Sequence, residues 1–261
     1  MSGEASASPL PFGAEAAGYD AGRPPYPEAL YEALFQKLDL RPGLRGFEVG
    51  AGTGLATRAL IRRGLQLRAI EPDPLMAKRL RVAAPEAEVI PARMEDAALP
   101  EGAADFGVSA MAMHWLDAGH ALPRIRAWLK PGAGFAMWWT VFGDPAQPDA
   151  FQRASAPLFS GMAQGRGAAK GVPYAMQSAA RLADLTAAGF EAAQTQRFDW
   201  QIRQSTAEVV NLCRSFSPIL QMPPAAREAF LQAMADLVER EFGGSVLRSF
   251  VSLLYTARRP L

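Results

Sequence analysis

Cysteine and histidine are almost missing from this 261-residue chain, which holds one of the first, Cys213, and two of the second, His114 and His120. A single cysteine excludes an internal disulfide framework and a cysteine-rich zinc site. Two histidines are too few for a histidine-built metal centre, so no metal is expected. An excess of either charge is also lacking. The 27 Lys and Arg against 26 Asp and Glu leave a net charge of +1, which suggests no nucleic-acid or anionic-membrane partner. Long apolar runs are absent: nothing reaches the about 18 residues that a membrane span needs. The start, Ser2 to Pro11, has neither a basic opening nor an apolar run, so no signal peptide is expected. These absences predict a cytoplasmic protein. No heptad pattern reports on assembly, which leaves monomer and homodimer open. Cys213 is expected as a small buried residue rather than a nucleophile.

What is present is enough apolar material for a packed core, 49% of the residues, in a length that fits one domain with a sizeable insertion. The organising stretch is Phe47-Glu48-Val49-Gly50-Ala51-Gly52-Thr53-Gly54, an apolar strand running into a glycine turn and then a helix. Alternate glycines let the turn bend sharply and let a ligand approach the backbone. The N–H groups at such a helix start favour polar or anionic ligand atoms. Further on, Ala69-Ile70-Glu71-Pro72 reads as a second strand ending in a carboxylate. A carboxylate at that place accepts the two hydroxyls of a ribose. A nucleoside-containing cofactor follows from the pair.

The chain in order predicts an α/β architecture. Residues 1–17 are a small, polar tail, and Tyr19 to Pro27 a proline-stiffened arm. A helix at 28–38 carries Leu30, Leu34 and Leu38 on one face. Strands at 44–49, 66–71, 86–90, 105–110 and 133–140 alternate with helices at 54–63, 74–83 and 118–129. That rhythm specifies a doubly wound, mainly parallel sheet, seven-stranded once strands at 190–199 and 246–257 are added, with its crevice at the C-terminal strand ends. Residues 18–142 form the cofactor-binding core. Residues 143–177 lose periodicity and read as a lid or substrate loop. Residues 178–261 complete the sheet, with a helical cap at about 205–242.

The dinucleotide fingerprint requires a third glycine where Leu55 stands. The pattern here, an acidic residue and then G-x-G-x-G, resembles motif I of the Rossmann-like, class I S-adenosylmethionine (SAM)-dependent methyltransferases. Ala92-Arg93-Met94-Glu95-Asp96-Ala97-Ala98-Leu99-Pro100 is similar to the family's A-E-x-L-P segment, with one extra residue before Leu99. Tyr19-Asp20 through Arg23-Pro24 to Tyr26-Pro27, together with His114-Trp115 after the fourth strand, resembles a subgroup that includes trans-aconitate methyltransferase-like proteins. The resemblance covers residues 19 to 140 well. Arg214 to Ser217 fits more weakly.

The resemblance implies SAM as cofactor and a small-molecule acceptor, with the methyl passed to oxygen or nitrogen in line with the C–S bond. It places Glu48, Gly50, Ala51, Gly52, Thr53, Gly54 and Ala110 around the cofactor, with Glu71 on the ribose. Pro72, Met76, Met94 and Glu95 border the adenosine. Arg23 would hold the cofactor carboxylate and Tyr19 would close over the sulfonium side. His114 is the leading candidate for a base, or for a group that only orients the acceptor. His120, at a helix start, reads as structural. Trp115, Trp139, Tyr174 and Ser215 are expected on the acceptor side, with Phe142, Phe159, Phe216 and Met222 as further apolar lining. Since neighbours on a strand face opposite ways, at least one of Trp138 and Trp139 belongs to the core. Two other readings remain open at this stage: a SAM-consuming enzyme that cyclises the aminobutyrate chain and releases methylthioadenosine, and a non-catalytic SAM-binding protein.

Overall fold

Residues 22–162, 168 and 171–261 are described by the computed structural model. The first helix, α1 (Glu28–Leu38), buries Leu30, Tyr31, Leu34 and Leu38 and ends at Asp39 in the left-handed conformation (φ 56°). The core then alternates: β1 (Arg45–Val49), α2 (Leu55–Ile61), β2 (Gln66–Ile70), α3 (Pro74–Ala83), β3 (Glu88–Ile90), β4 (Ala104–Ala110), α4 (Ala118–Trp128) and β5 (Leu129–Val141). α3 starts where local chemistry dictates. The Asp73 carboxylate accepts from the N–H groups of Leu75 and Met76, and Pro74 supplies the first helical residue.

All seven strands form one sheet in the order β3-β2-β1-β4-β5-β7-β6, where β6 is Glu191–Ser205 and β7 is Ser245–Arg258. β1 to β5 run parallel, and β7 enters antiparallel between β5 and β6. β7 therefore begins at the same end of the sheet at which the parallel strands finish. The expected fold class is the observed one.

β5 separates the two core layers. Phe135, Met137 and Trp139 join Phe47, Ile125, Trp128 and Tyr255 on one face. Ala136 and Trp138 join Leu30, Leu34, Leu60 and Phe106 on the other. Both tryptophans are buried, so the expected core tryptophan is matched by a second. In the centre of the sheet Gly46 lies opposite Phe106, and Phe47 opposite Gly107. A Cβ on either glycine would come within about 2.4 Å of its partner's ring, so each phenylalanine occupies space that a side chain would deny it.

The cap is built from α5 (Ala150–Ser155) after β5, and α7 (Thr206–Arg214), α8 (Ser217–Leu220) and α9 (Pro224–Phe242) between β6 and β7. α6 (Ser178–Ala187) packs below, against β6. Phe151, Val209, Cys213, Phe230, Met234, Val238 and Val246 give the cap its own buried cluster. α7 opens with a capping box between Ser205 and Glu208. The expected loop at 143–177 thus contains a helix, and 3-10 turns at Ala156–Phe159 and Tyr174–Met176. Part of that span, residues 163–167 and 169–170, lies outside the described residues, as do the tail and Tyr19. No helix among the described residues is long and apolar enough to cross a membrane.

Candidate active site

The glycine turn leaves β1 with Gly50, Gly52 and Gly54 all at positive φ (70°, 59° and 94°), conformations that side chains disfavour. A Cβ on Gly52 would meet nothing within 4 Å, so this face of the turn is open. Gly50 is the opposite case: its Cβ would lie 2.3 Å from that of Ala112, which follows β4. Sequence reasoning missed Ala112, and a small residue two positions before His114 was the available signal.

Glu71 is buried at the end of β2 and reaches across to the turn. Its Oε2 accepts from Gly52 N–H at 2.7 Å and its Oε1 from Asp73 N–H at 2.9 Å. Burial raises its pKa, opposed by those two N–H groups. A carboxylate offers about four lone-pair sites, so two remain for hydroxyl donors. The open Gly52 face beside an acceptor with spare capacity fits a ribose.

Glu48 is fully buried beneath the turn and accepts from Thr57 Oγ1 at 2.6 Å, tying β1 to α2. Burial, with a smaller push from Glu71, raises its pKa to about 8 against the Thr57 bond, so it carries its proton at neutral pH. Thr53 is buried, Ala51 and Ala110 likewise. Met76 is buried on α3, and Pro72 is exposed just before it. Met94 belongs to the core cluster that includes Ile70 and Ala97, whereas Glu95 stands exposed and pairs with Arg93 at 3.5 Å.

Four residues expected around the acceptor form one cluster. Trp139 Nε1 donates to His114 Nδ1 at 3.0 Å. The His114 ring lies 5.0 Å from that of Trp115 and 6.1 Å from that of Tyr174, and Trp139 lies 5.4 Å from Tyr174. Arg181 sits over the Tyr174 ring at 3.6 Å, which sequence reasoning did not anticipate. An indole N–H is only a donor, so Nδ1 of His114 must accept and the neutral ring carries its proton on Nε2. In this tautomer the lone pair needed by a base is already engaged.

Ser215 stands apart from that cluster. It is buried at the end of α7, donates to Leu212 O at 2.7 Å, and accepts from Arg23 Nε at 3.1 Å. Arg23 also lies over the Phe142 ring at 5.2 Å. Arg23 therefore docks the described part of the arm on the cap. His120 is exposed and pairs with Asp117 at the start of α4 at 2.5 Å, as a helix-start histidine does. Cys213 is buried and its thiol pKa is pushed up to about 12, which leaves it inert. Among the described residues no group of His, Cys, Asp or Glu gathers to hold a metal.

Residues 47–137 match the methyltransferase domain family. The sequence is 33% identical over 132 residues to an uncharacterised methyltransferase of Mycobacterium tuberculosis, covering 51% of this chain and 53% of that protein. The chain thus spans about half the length of the curated relatives it matches first. A structure assigned as a type II methyltransferase from Anaeromyxobacter dehalogenans superposes with a TM-score of 0.67 at 21% identity, over 91% of this chain and 98% of its own. Phosphoethanolamine N-methyltransferase 2 of Haemonchus contortus, in complex with SAM, gives 0.58 at 13% identity over 98% of this chain and 61% of that one. Residues 47–137 thus match a methyltransferase domain, and the described chain has the Rossmann-like fold of these solved structures.

Proposed function

We propose that the protein transfers the methyl group of SAM to an oxygen or nitrogen of a small-molecule acceptor, leaving S-adenosylhomocysteine. The carrying observation is Glu71, a buried carboxylate with spare lone pairs beside the open face of Gly52. When bound, SAM supplies an electrophilic methyl on a sulfonium. Gly50 through Gly54 approach its backbone-facing side, with Glu71 on the ribose, and Pro72, Met76, Met94 and Glu95 along the base. Arg23, with Tyr19 beyond the described residues, belongs to the methionine end, and Glu48 fixes the turn from below.

His114 serves as a donor. With Nδ1 held by Trp139, Nε2 carries the proton, and on this reading it would donate to an acceptor oxygen and hold the attacking lone pair in line. Such alignment contributes up to about 7–11 kcal/mol in favourable cases. A donor there suits an acceptor whose nucleophile needs no deprotonation. Trp115, Trp139 and Tyr174 exclude water beside it. The reading includes action in the cytoplasm, as a monomer or homodimer, on an acceptor that is neither nucleic acid nor membrane.

The test is calorimetry with SAM and with S-adenosylhomocysteine, followed by product analysis on a metabolite extract. Binding of both, weakened at least tenfold by Glu71→Ala, is expected, with S-adenosylhomocysteine as the product. Absence of binding rejects the reading, and release of methylthioadenosine instead would replace methyl transfer with cyclisation.

A further inference from the structure

Beneath the cap lies a cavity of about 280 Å³. Phe142, Phe151, Phe159 and Phe216 give it aromatic walls, and Arg248 lines it from β7. In the alternation of β7, Arg248 occupies the inward register between Val246 and Phe250, and it is only 4% exposed. A guanidinium brings five N–H donors. One nitrogen donates to Phe142 O at 3.0 Å and another, at a longer 3.4 Å, to Gln204 Oε1. The buried Nε finds no partner among the described residues.

Among the described residues no carboxylate bonds to this guanidinium. Asp149 acts on it electrostatically, with each of its oxygens already accepting one backbone N–H. Oδ1 accepts from Gln152 N–H at 2.7 Å and Oδ2 from Ser249 N–H at 2.8 Å. The ring faces of Phe151 and Phe250, 4.3 and 5.0 Å from the guanidinium carbon, offset part of the charge. A buried, unpaired cation is costly, and an unsatisfied donor beside a cavity needs an occupant.

We propose that this cavity takes an organic carboxylate with an aromatic or apolar body, its carboxylate paired with Arg248. One guanidinium matches one monoanionic, planar group that accepts two parallel hydrogen bonds. The phenylalanines supply stacking surface for the body. Phe142 follows β5 three positions after Trp139, and its ring carries Arg23 on the arm and stacks on Phe216 at 5.4 Å. The cavity therefore adjoins both the docked arm and the strand that presents the His114 cluster. That its occupant is the methyl acceptor rests on the proposed methyl transfer, whereas carboxylate binding itself does not.

The experiment titrates the full-length protein with benzoate, benzyl alcohol and phenyl phosphate, in excess S-adenosylhomocysteine, and repeats it for Arg248→Met and Ser155→Leu. S-adenosylhomocysteine affinity is measured separately for each. Benzoate is expected to bind wild type at least tenfold more tightly than benzyl alcohol. Arg248→Met abolishes that preference, and Ser155→Leu, which narrows the cavity from its α5 wall and leaves the arginine in place, weakens benzoate at least tenfold. S-adenosylhomocysteine affinity stays within twofold in both. Equal binding of benzoate and benzyl alcohol to wild type overturns the proposal, and so does a preference that survives Arg248→Met. Phenyl phosphate binding tenfold better than benzoate overturns the carboxylate class. Should Arg248→Met fail to fold, the wild-type preference together with Ser155→Leu decides. Carboxylate preference without S-adenosylhomocysteine binding would uphold the cavity and refute the methyl-transfer reading.

Discussion

Replacing Glu48 by glutamine tests whether the carboxyl beneath the glycine turn holds its proton. The side chain is 1% exposed, and burial lifts its pKa from 4.5 to about 8. An unfolded glutamic acid titrates near its ordinary value, so between about pH 4.5 and 8 the folded protein binds one proton more than the unfolded chain. The stability this group contributes is complete below pH 4.5 and is lost as pH rises through 8. At about 1.36 kcal/mol per unit the whole loss has a ceiling of about 5 kcal/mol, of which about 3 falls between pH 5.5 and 8.5. Glutamine keeps the shape and an oxygen for Thr57 but does not titrate. Urea unfolding of both proteins at pH 5.5, 6.5, 7.5 and 8.5 gives the two slopes. Wild type should lose about 3 kcal/mol more than Glu48→Gln across that window, with most of the divergence complete by pH 8. Groups common to both, including Glu71, cancel. Parallel curves would mean that Glu48 is ionised in the folded protein, and the argument from burial would be wrong.

Trp139→Phe removes the donor that fixes His114. In wild type at pH 8, nitrogen-15 spectra should show one neutral tautomer protonated at Nε2, and the variant a mixture; turnover should fall up to about tenfold, the worth of one net hydrogen bond of about 0.5–1.5 kcal/mol. A single unchanged tautomer in the variant would break the link between Trp139 and His114. Gly50→Ala places a Cβ 2.3 Å from that of Ala112 at φ 70°. It should cost about 2–4 kcal/mol in unfolding free energy and weaken SAM binding, and adding Ala112→Gly should restore part of the stability but not the share due to positive φ, about 1 kcal/mol. No restoration in the double variant would show that the contact with Ala112 is not the cause.

The elements legible in the sequence were those whose ends are written locally. α1 and α3 run over 28–38 and 74–83 as expected, because leucine spacing defines one and Asp73-Pro74 starts the other. Strand ends were less legible because a partner sets them. β6 was expected to stop at 199 and continues to Ser205, since β7 keeps pairing with it as far as Ser245. β5 begins at Leu129 rather than 133, because Leu129 pairs with Ala104 before the chain passes Lys130-Pro131-Gly132. The third strand was expected from 86 and begins at Glu88, where its pairing with Arg68 begins. In the site, Glu71 and its glycine turn were readable because both lie within one βαβ unit. Ser215 was expected to face the acceptor; its hydroxyl holds Arg23, a contact across 192 residues that no local pattern encodes. Arg248 left a faint mark, a charge at the inward phase of an otherwise apolar alternation, and its meaning depended on the cap that covers it.

The segment recognisable as a methyltransferase domain stops at residue 137, two residues before Trp139 and five before Phe142. That boundary has a physical reason. A cofactor that is always the same can be met by the same turn and the same carboxylate, so on the proposed reading most of its contacts, Gly50 to Glu95, would lie in a compact stretch from β1 to the loop after β3, with Arg23 and Ala110 outside it. An acceptor varies, and the elements that would touch it are gathered from α5, α7, Tyr174 and the start of β7. β5 joins the two halves: its middle pairs with β4 beside the turn, and its end presents Trp139 to His114 and leads into Phe142 at the cavity. If that division holds, substitutions at Phe142, Phe216 and Arg248 change which acceptor is used while leaving S-adenosylhomocysteine affinity in place. Substitutions at Gly50, Gly52 and Glu71 do the reverse, lowering turnover of every acceptor by a common factor.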